Sequence, residues 1–188
     1  MSDILLPLQI LLACVFFIAA IINDLLHEKI PNKLCLMAII IGLTLNTYYG
    51  HVHGFLNSFY GLSLAFTILI PAFVFRVLGA GDIKLMMGIG ALIGPMLLFW
   101  SLLYGIAAGT VTSLLLIIWR TGLTGIKKTC KRYWDCIYLR HYFKPESDEA
   151  AGQRIPYAPA LGLGWVIACV INLDITHIYA QWAQYLGS

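Results

Sequence analysis

The sequence predicts an all-α protein, a polytopic membrane bundle of about six transmembrane segments forming one integral-membrane domain over residues 1–188. Three observations carry that prediction. The chain is 60% hydrophobic and 11% charged, where a soluble domain carries about 25% charge. Its apolar residues gather into runs of membrane-spanning length, since about 20 helical residues cross a ~30 Å hydrocarbon core. When those runs alternate across a membrane, every basic residue falls on one side.

The first run, 4–22, opens on Met1-Ser2-Asp3, which lacks the basic start of a signal peptide. No small-residue cleavage site precedes a polar mature domain, so this run reads as a retained helix. It stops just before Asp24. Ile30-Pro31-Asn32 follows, and Pro31 suits the first turn of a second helix at 33–49. The third run, 55–75, contains Pro71, a potential kink. After Asp82 a long apolar stretch reaches Trp119, divided by Gly94-Pro95. The piece before that division, 83–93, is roughly 17 Å of helix, short of a full crossing. Either the bilayer thins locally, or the turn lies inside the membrane and is covered by protein. The last runs are 96–119 and 156–173, joined by a polar loop at about 120–155.

With the first loop inside, the inside regions are 23–33, 76–84 and 120–155, and they hold all twelve Lys and Arg. The outside regions hold Asp3, Asp174, His51, His53 and His177, with no Lys or Arg. The positive-inside rule therefore places both termini outside and puts Asp24 and Asp82 on the cytoplasmic side. The net charge of +3 is explained by this topology, and nucleic acid is not an expected partner. The loop 120–155 mixes its basic residues with Tyr133, Trp134, Tyr138, Tyr142 and Phe143. Such a stretch beside a membrane rests on anionic lipid headgroups. Five cysteines, an odd number with no CxxC pair, predict neither a zinc site nor a disulfide framework. No metal and no cofactor is expected.

Asp24 and Asp82 are the candidates for chemistry. A carboxylate at membrane depth costs on the order of 3 kcal/mol and is a functional candidate by default. Two carboxylates close together cannot both ionise easily, so one keeps a proton. The ionised member can activate water while the protonated one donates to a carbonyl oxygen, which is aspartic protease chemistry. Structural readings stand beside this one. Asp82 could cap a helix N-terminus or pair with Lys84, and Asp24 could simply end the first helix. That end is poorly placed for a carboxylate against the helix dipole, which tips the balance slightly to function. Gly79 and Gly81 permit a tight approach by another backbone. Lys84 either sits near the carboxylates or snorkels to the headgroups, and snorkelling is slightly favoured. His27 is assigned no role.

Three motifs then stand in order. They are Asp24 with Ile30-Pro31-Asn32, the run Gly79-Ala80-Gly81-Asp82-Ile83-Lys84-Leu85, and Arg154-Ile155-Pro156-Tyr157-Ala158-Pro159-Ala160. Together they resemble the type IV prepilin peptidases, membrane aspartyl proteases of the GxGD class, over essentially the whole chain. The resemblance implies that Asp24 and Asp82 are the catalytic pair, with Gly79, Gly81, Lys84, Pro31 and Asn32 shaping the site. It implies an enzyme of the prokaryotic cytoplasmic membrane that removes the short basic leader of prepilins at the cytoplasmic face. Larger members carry paired CxxC motifs in a cytoplasmic insertion and also methylate the new amino terminus. Here the first loop is short and has no CxxC, so the chain resembles the peptidase-only members, including those serving tight-adherence (Flp-type) pilins and the archaeal preflagellin peptidases. Intramembrane carboxylates also mark proton-coupled transporters. Against a transporter, no inverted repeat is visible and both aspartates lie near one face. A noncatalytic pilus-assembly subunit is a third reading, and the sequence leaves the oligomeric state open.

Overall fold

A computed structural model of the chain describes residues 2–27, 29–74, 78–139 and 157–171. Among these, the regular structure is entirely α-helical: α1 (Ser2–His27), α2 (Asn32–Val74), α3 (Ala80–Ile93), α4 (Pro95–Tyr138) and α5 (Ala158–Ile171). Leu5–His27, Asn32–Val74 and Pro95–Trp119 are long and apolar enough to cross a membrane.

At 43 residues, α2 has the length of two crossings. It breaks at His51, whose φ of 49° and ψ of −130° leave the helical region. The two arms fold back on each other, since Ser58 Oγ reaches the Gly42 carbonyl at 3.3 Å. Sequence reasoning placed a loop at 50–54 between two runs; the helix instead continues to either side of one non-helical residue. Each arm buries a stripe of mostly small residues at helical spacing, Cys35, Ala38, Gly42 and Asn46 on one and Ser58, Gly61, Ala65 and Leu69 on the other. Small residues let helices approach closely where lipid supplies no hydrophobic drive between them.

Both stripes close on α3, the most deeply buried helix. Its Leu85, Met86, Ile89 and Leu92 are fully buried. A Cβ added at Gly42 would lie 2.6 Å from the Ala91 carbonyl carbon, and one at Gly61 would collide with the Gly90 carbonyl. Backbone meets backbone at these points, so a larger side chain would push the helices apart. On α1, Ala13, Phe16, Phe17 and Ala20 face inward while Leu11, Val15, Ile18 and Ile22 are exposed, the two-sided pattern of a helix with one face on a core. α5 runs antiparallel to α1. Gly162 sits against Ile21 and Phe17, and the Trp165 ring lies 5.4 Å from that of Phe17.

The break after α3 is held by side chains from elsewhere in the fold. Pro95 has no N–H to give the Ala91 carbonyl, and Gly94 (φ 78°) turns the chain away. Two donors take up the orphaned acceptors. Asn46 Nδ2 donates to the carbonyls of Ala91 (2.9 Å) and Leu92 (3.1 Å), and Ser58 Oγ donates to Ala91 (2.7 Å). Gln9 Nε2 of α1 then holds Asn46 Oδ1 at 2.7 Å. Protein groups thus satisfy the backbone acceptors at this break, as a turn covered by protein requires.

The described residues divide into two compact units. One comprises the chain up to Ala107 together with α5; the other begins at Ala108. In the second, α4 breaks at Gly122 (φ 64°, ψ −176°) and resumes as helix to Tyr138. Helix thus occupies the first half of the stretch expected as a loop at 120–155, while residues 140–155 lie outside the described ones.

Candidate functional site

Gly79 is the residue that starts α3, with extended φ −76° and ψ 153°. Asp82 stands in the first turn and reaches back, so that Gly79 N–H donates to Asp82 Oδ2 at 3.1 Å. Asp82 is therefore not the N-cap itself but the third helical residue, returning a bond to the cap. The glycine at 79 matters because a Cβ there would sit 3.2 Å from the same Oδ2. Asp82 is 8% exposed, and its other oxygen, Oδ1, is buried without a hydrogen-bond partner among the described residues.

That arrangement governs charge. Asp82 lies in the 76–84 flank, ahead of the apolar segment 83–93. Burial pushes its carboxyl from the ordinary 3.8 up to about 6, the negative charge of Asp24 adds to the rise, and the Gly79 N–H opposes it. A neutral carboxyl keeps one oxygen as an acceptor and makes the other a donor. With Oδ2 engaged by Gly79, the proton belongs on Oδ1.

Asp24 sits near the end of α1, half-buried, close enough for its charge to act on Asp82. The register of α5 on α1, with Gly162 against Ile21 and Trp165 against Phe17, carries the start of α5 to the level of Asp24. Tyr157 and Ala158 of the third motif are at that start, and the Tyr157 carbonyl accepts the Leu161 N–H at 3.0 Å. Arg154, Ile155 and Pro156 lie outside the described residues.

The first two motifs meet directly. A Cβ on Gly81 would lie 3.1 Å from Ile30 Cβ, and the Cys35 thiol points to the Gly81 carbonyl at 3.8 Å. The Pro31 carbonyl accepts from Leu34 and Cys35, opening α2, which leaves Asn32 at the helix start. Lys84 Nζ donates to Asn32 Oδ1 at 3.0 Å, on an exposed surface. The lysine thus ties α3 to the start of α2 rather than pairing with Asp82. Pro31, Asn32, Gly79, Gly81, Lys84 and the aspartates all belong to one end of the fold. His27 is exposed at that end.

Two features escaped sequence reasoning. Cys35 touches the Gly-Ala-Gly-Asp turn, yet a lone cysteine in an apolar run carries no signal. Gln9, Asn46 and Ser58 converge at the other end of α3, and single polar residues inside three apolar runs are a faint signal.

A family model described as the type IV leader peptidase family matches residues 11–114, more than half of the chain and including both aspartates. No curated protein and no solved structure matches.

Proposed function

The chain belongs to the type IV leader peptidase family, and on that premise we propose that it is an aspartic endopeptidase of the prokaryotic cytoplasmic membrane. It removes the short basic leader of prepilins and pilin-like precursors at the cytoplasmic face. Asp24 and Asp82 are its catalytic pair. The observation that carries this reading is the buried Asp82 Oδ1, without a partner among the described residues, on a carboxyl whose proton is favoured by burial and by the neighbouring Asp24.

The roles divide accordingly. Asp24 is the ionised member and takes a proton from water as the water oxygen attacks the scissile carbonyl carbon. Asp82 gives its Oδ1 proton to the carbonyl oxygen, producing a neutral diol. Collapse then breaks the C–N bond. Asp24 passes its proton to the leaving amine, and a diol hydroxyl returns a proton to Asp82. One water is consumed, and both carboxyls regain their starting states. No metal or nucleotide takes part.

Gly79 leaves room for the Asp82 carboxyl and Gly81 lets Ile30 close on the same turn, so both shape the site by packing, and the Lys84–Asn32 bond ties its rim together. The twelve basic residues of the chain support a cytoplasmic placement of this end. Expression in cells that make a prepilin but lack any other processing enzyme tests the reading. The precursor is expected to shorten by its leader, and an unshortened precursor beside correctly inserted protein counts against it.

A further inference from the structure

Beyond Trp119, the last residue of an apolar helix long enough to span, the chain turns at Gly122 and becomes helical again. Ile126, Cys130, Tyr133 and Trp134 stand at i, i+4, i+7 and i+8, one stripe of a helix. Lys127 and Lys131 stand together along the Trp134 edge of that stripe. The back of the helix is occupied, with Gly125 and Arg132 buried and the Arg132 guanidinium 4.7 Å from the centre of the Tyr133 ring. The front is open: Cys130, Lys127 and Lys131 are exposed, as are Trp134 (72%) and Tyr138 (81%).

We propose that this face, Cys130, Tyr133 and Trp134 with Lys127 and Lys131 along one edge, lies in the headgroup layer of a membrane leaflet rich in anionic phospholipid. Three arguments choose that occupant. Three residues of chain between Trp119 and the new helix reach about 10 Å at most, so the helix starts within the interfacial layer. Trp and Tyr seat at that depth because their rings are apolar and their N–H and O–H groups stay wet. The lysines complement lipid phosphates, whereas a basic leader peptide would meet like charge. This inference needs the membrane reading of the chain and is independent of peptide-bond hydrolysis.

The test uses the unmodified full chain in nanodiscs, one set of phosphatidylcholine and one of phosphatidylcholine with phosphatidylglycerol. An uncharged, lipid-excluded maleimide is added, and modification of Cys130 is followed over time by peptide mass spectrometry. Cys130 is expected to react about tenfold more slowly in the anionic discs, as two lysines drawn to the surface would produce. In the Lys127→Gln/Lys131→Gln chain the two sets are expected to react alike. Equal rates for the unmodified chain in both lipids overturn the proposal. So does slowing that persists in the double variant, or slowing that appears only when a prepilin is added, which would assign the face to substrate.

Discussion

At the scale of the residue, the site depends on how Asp82 divides its two oxygens. Oδ2 is committed to Gly79 at 3.1 Å and Oδ1 is held back from any such partner among the described residues. Chemistry that shares one proton needs both carboxyls, so Asp24→Asn and Asp82→Asn are each expected to lower cleavage by several powers of ten. Western blots of membrane fractions should show both variants inserted, and near-normal processing by either would remove that residue from the mechanism. The cost of burying Asp82 has its own signature. Its folded value of about 6 lies above the ordinary 3.8, so the folded protein holds an extra proton between those values. Stability then falls as pH rises through that window, and the whole cost, on the order of 3 kcal/mol at most, is present above it. Asp82→Asn is expected to melt at a higher temperature than the parent near neutral pH, with the gap closing in acid. A lower melting temperature for the variant at neutral pH would contradict this. Asp24 and Asp82 were legible in the sequence because charge is scarce in so apolar a chain. That Asp82 answers the cap rather than being the cap was not, since the flanking glycines allow either geometry.

At the scale of the element, α3 is held at both ends by different chemistry. Its start meets Ile30 and Asn32, and its end depends on Asn46 and Ser58 for acceptors that Gly94-Pro95 leaves open. Asn46→Ala removes the donor to Ala91 and Leu92 and strands Gln9, a loss of about 1–3 kcal/mol. A thermal shift in detergent should fall by several degrees, while cleavage at low temperature is largely kept because the aspartates lie at the other end. Unchanged melting with lost cleavage would show that Asn46 belongs to the chemistry. The division at Gly94-Pro95 could be read from the sequence, for proline and glycine act locally. The network that covers it could not, because its members meet only after α2 folds back at His51. The helix beyond Gly122 was hidden for another reason: its lysines, threonine and glycine look like loop composition, and its stripe at i, i+4, i+7 and i+8 is short.

At the scale of the whole molecule, the sequence pattern reaches further than the described helices do, because the segregation of Lys and Arg belongs to the entire chain. It predicts both termini outside and residues 120–155 in the cytoplasm. A phosphatase reporter, active only after export, is expected to work when fused after Ser188, and activity only of a cytoplasmic reporter there would refute the alternation. The same short first loop without CxxC predicts cleavage without methylation, so the new N-terminal amine of a processed pilin should have its unmodified mass. An added methyl group would show a donor site in this chain.

Under the proposed mechanism, Asp24 and Asp82 together hydrolyse a prepilin leader bond. The purified chain, incubated in detergent with a prepilin whose leader ends at a Gly-Phe-type junction and with metal chelator present, tests it most directly. Mass spectrometry should find a single cut after that glycine, absent with Asp24→Asn and with Asp82→Asn. An intact precursor with well-folded parent protein, or the same cut by either variant, would contradict it.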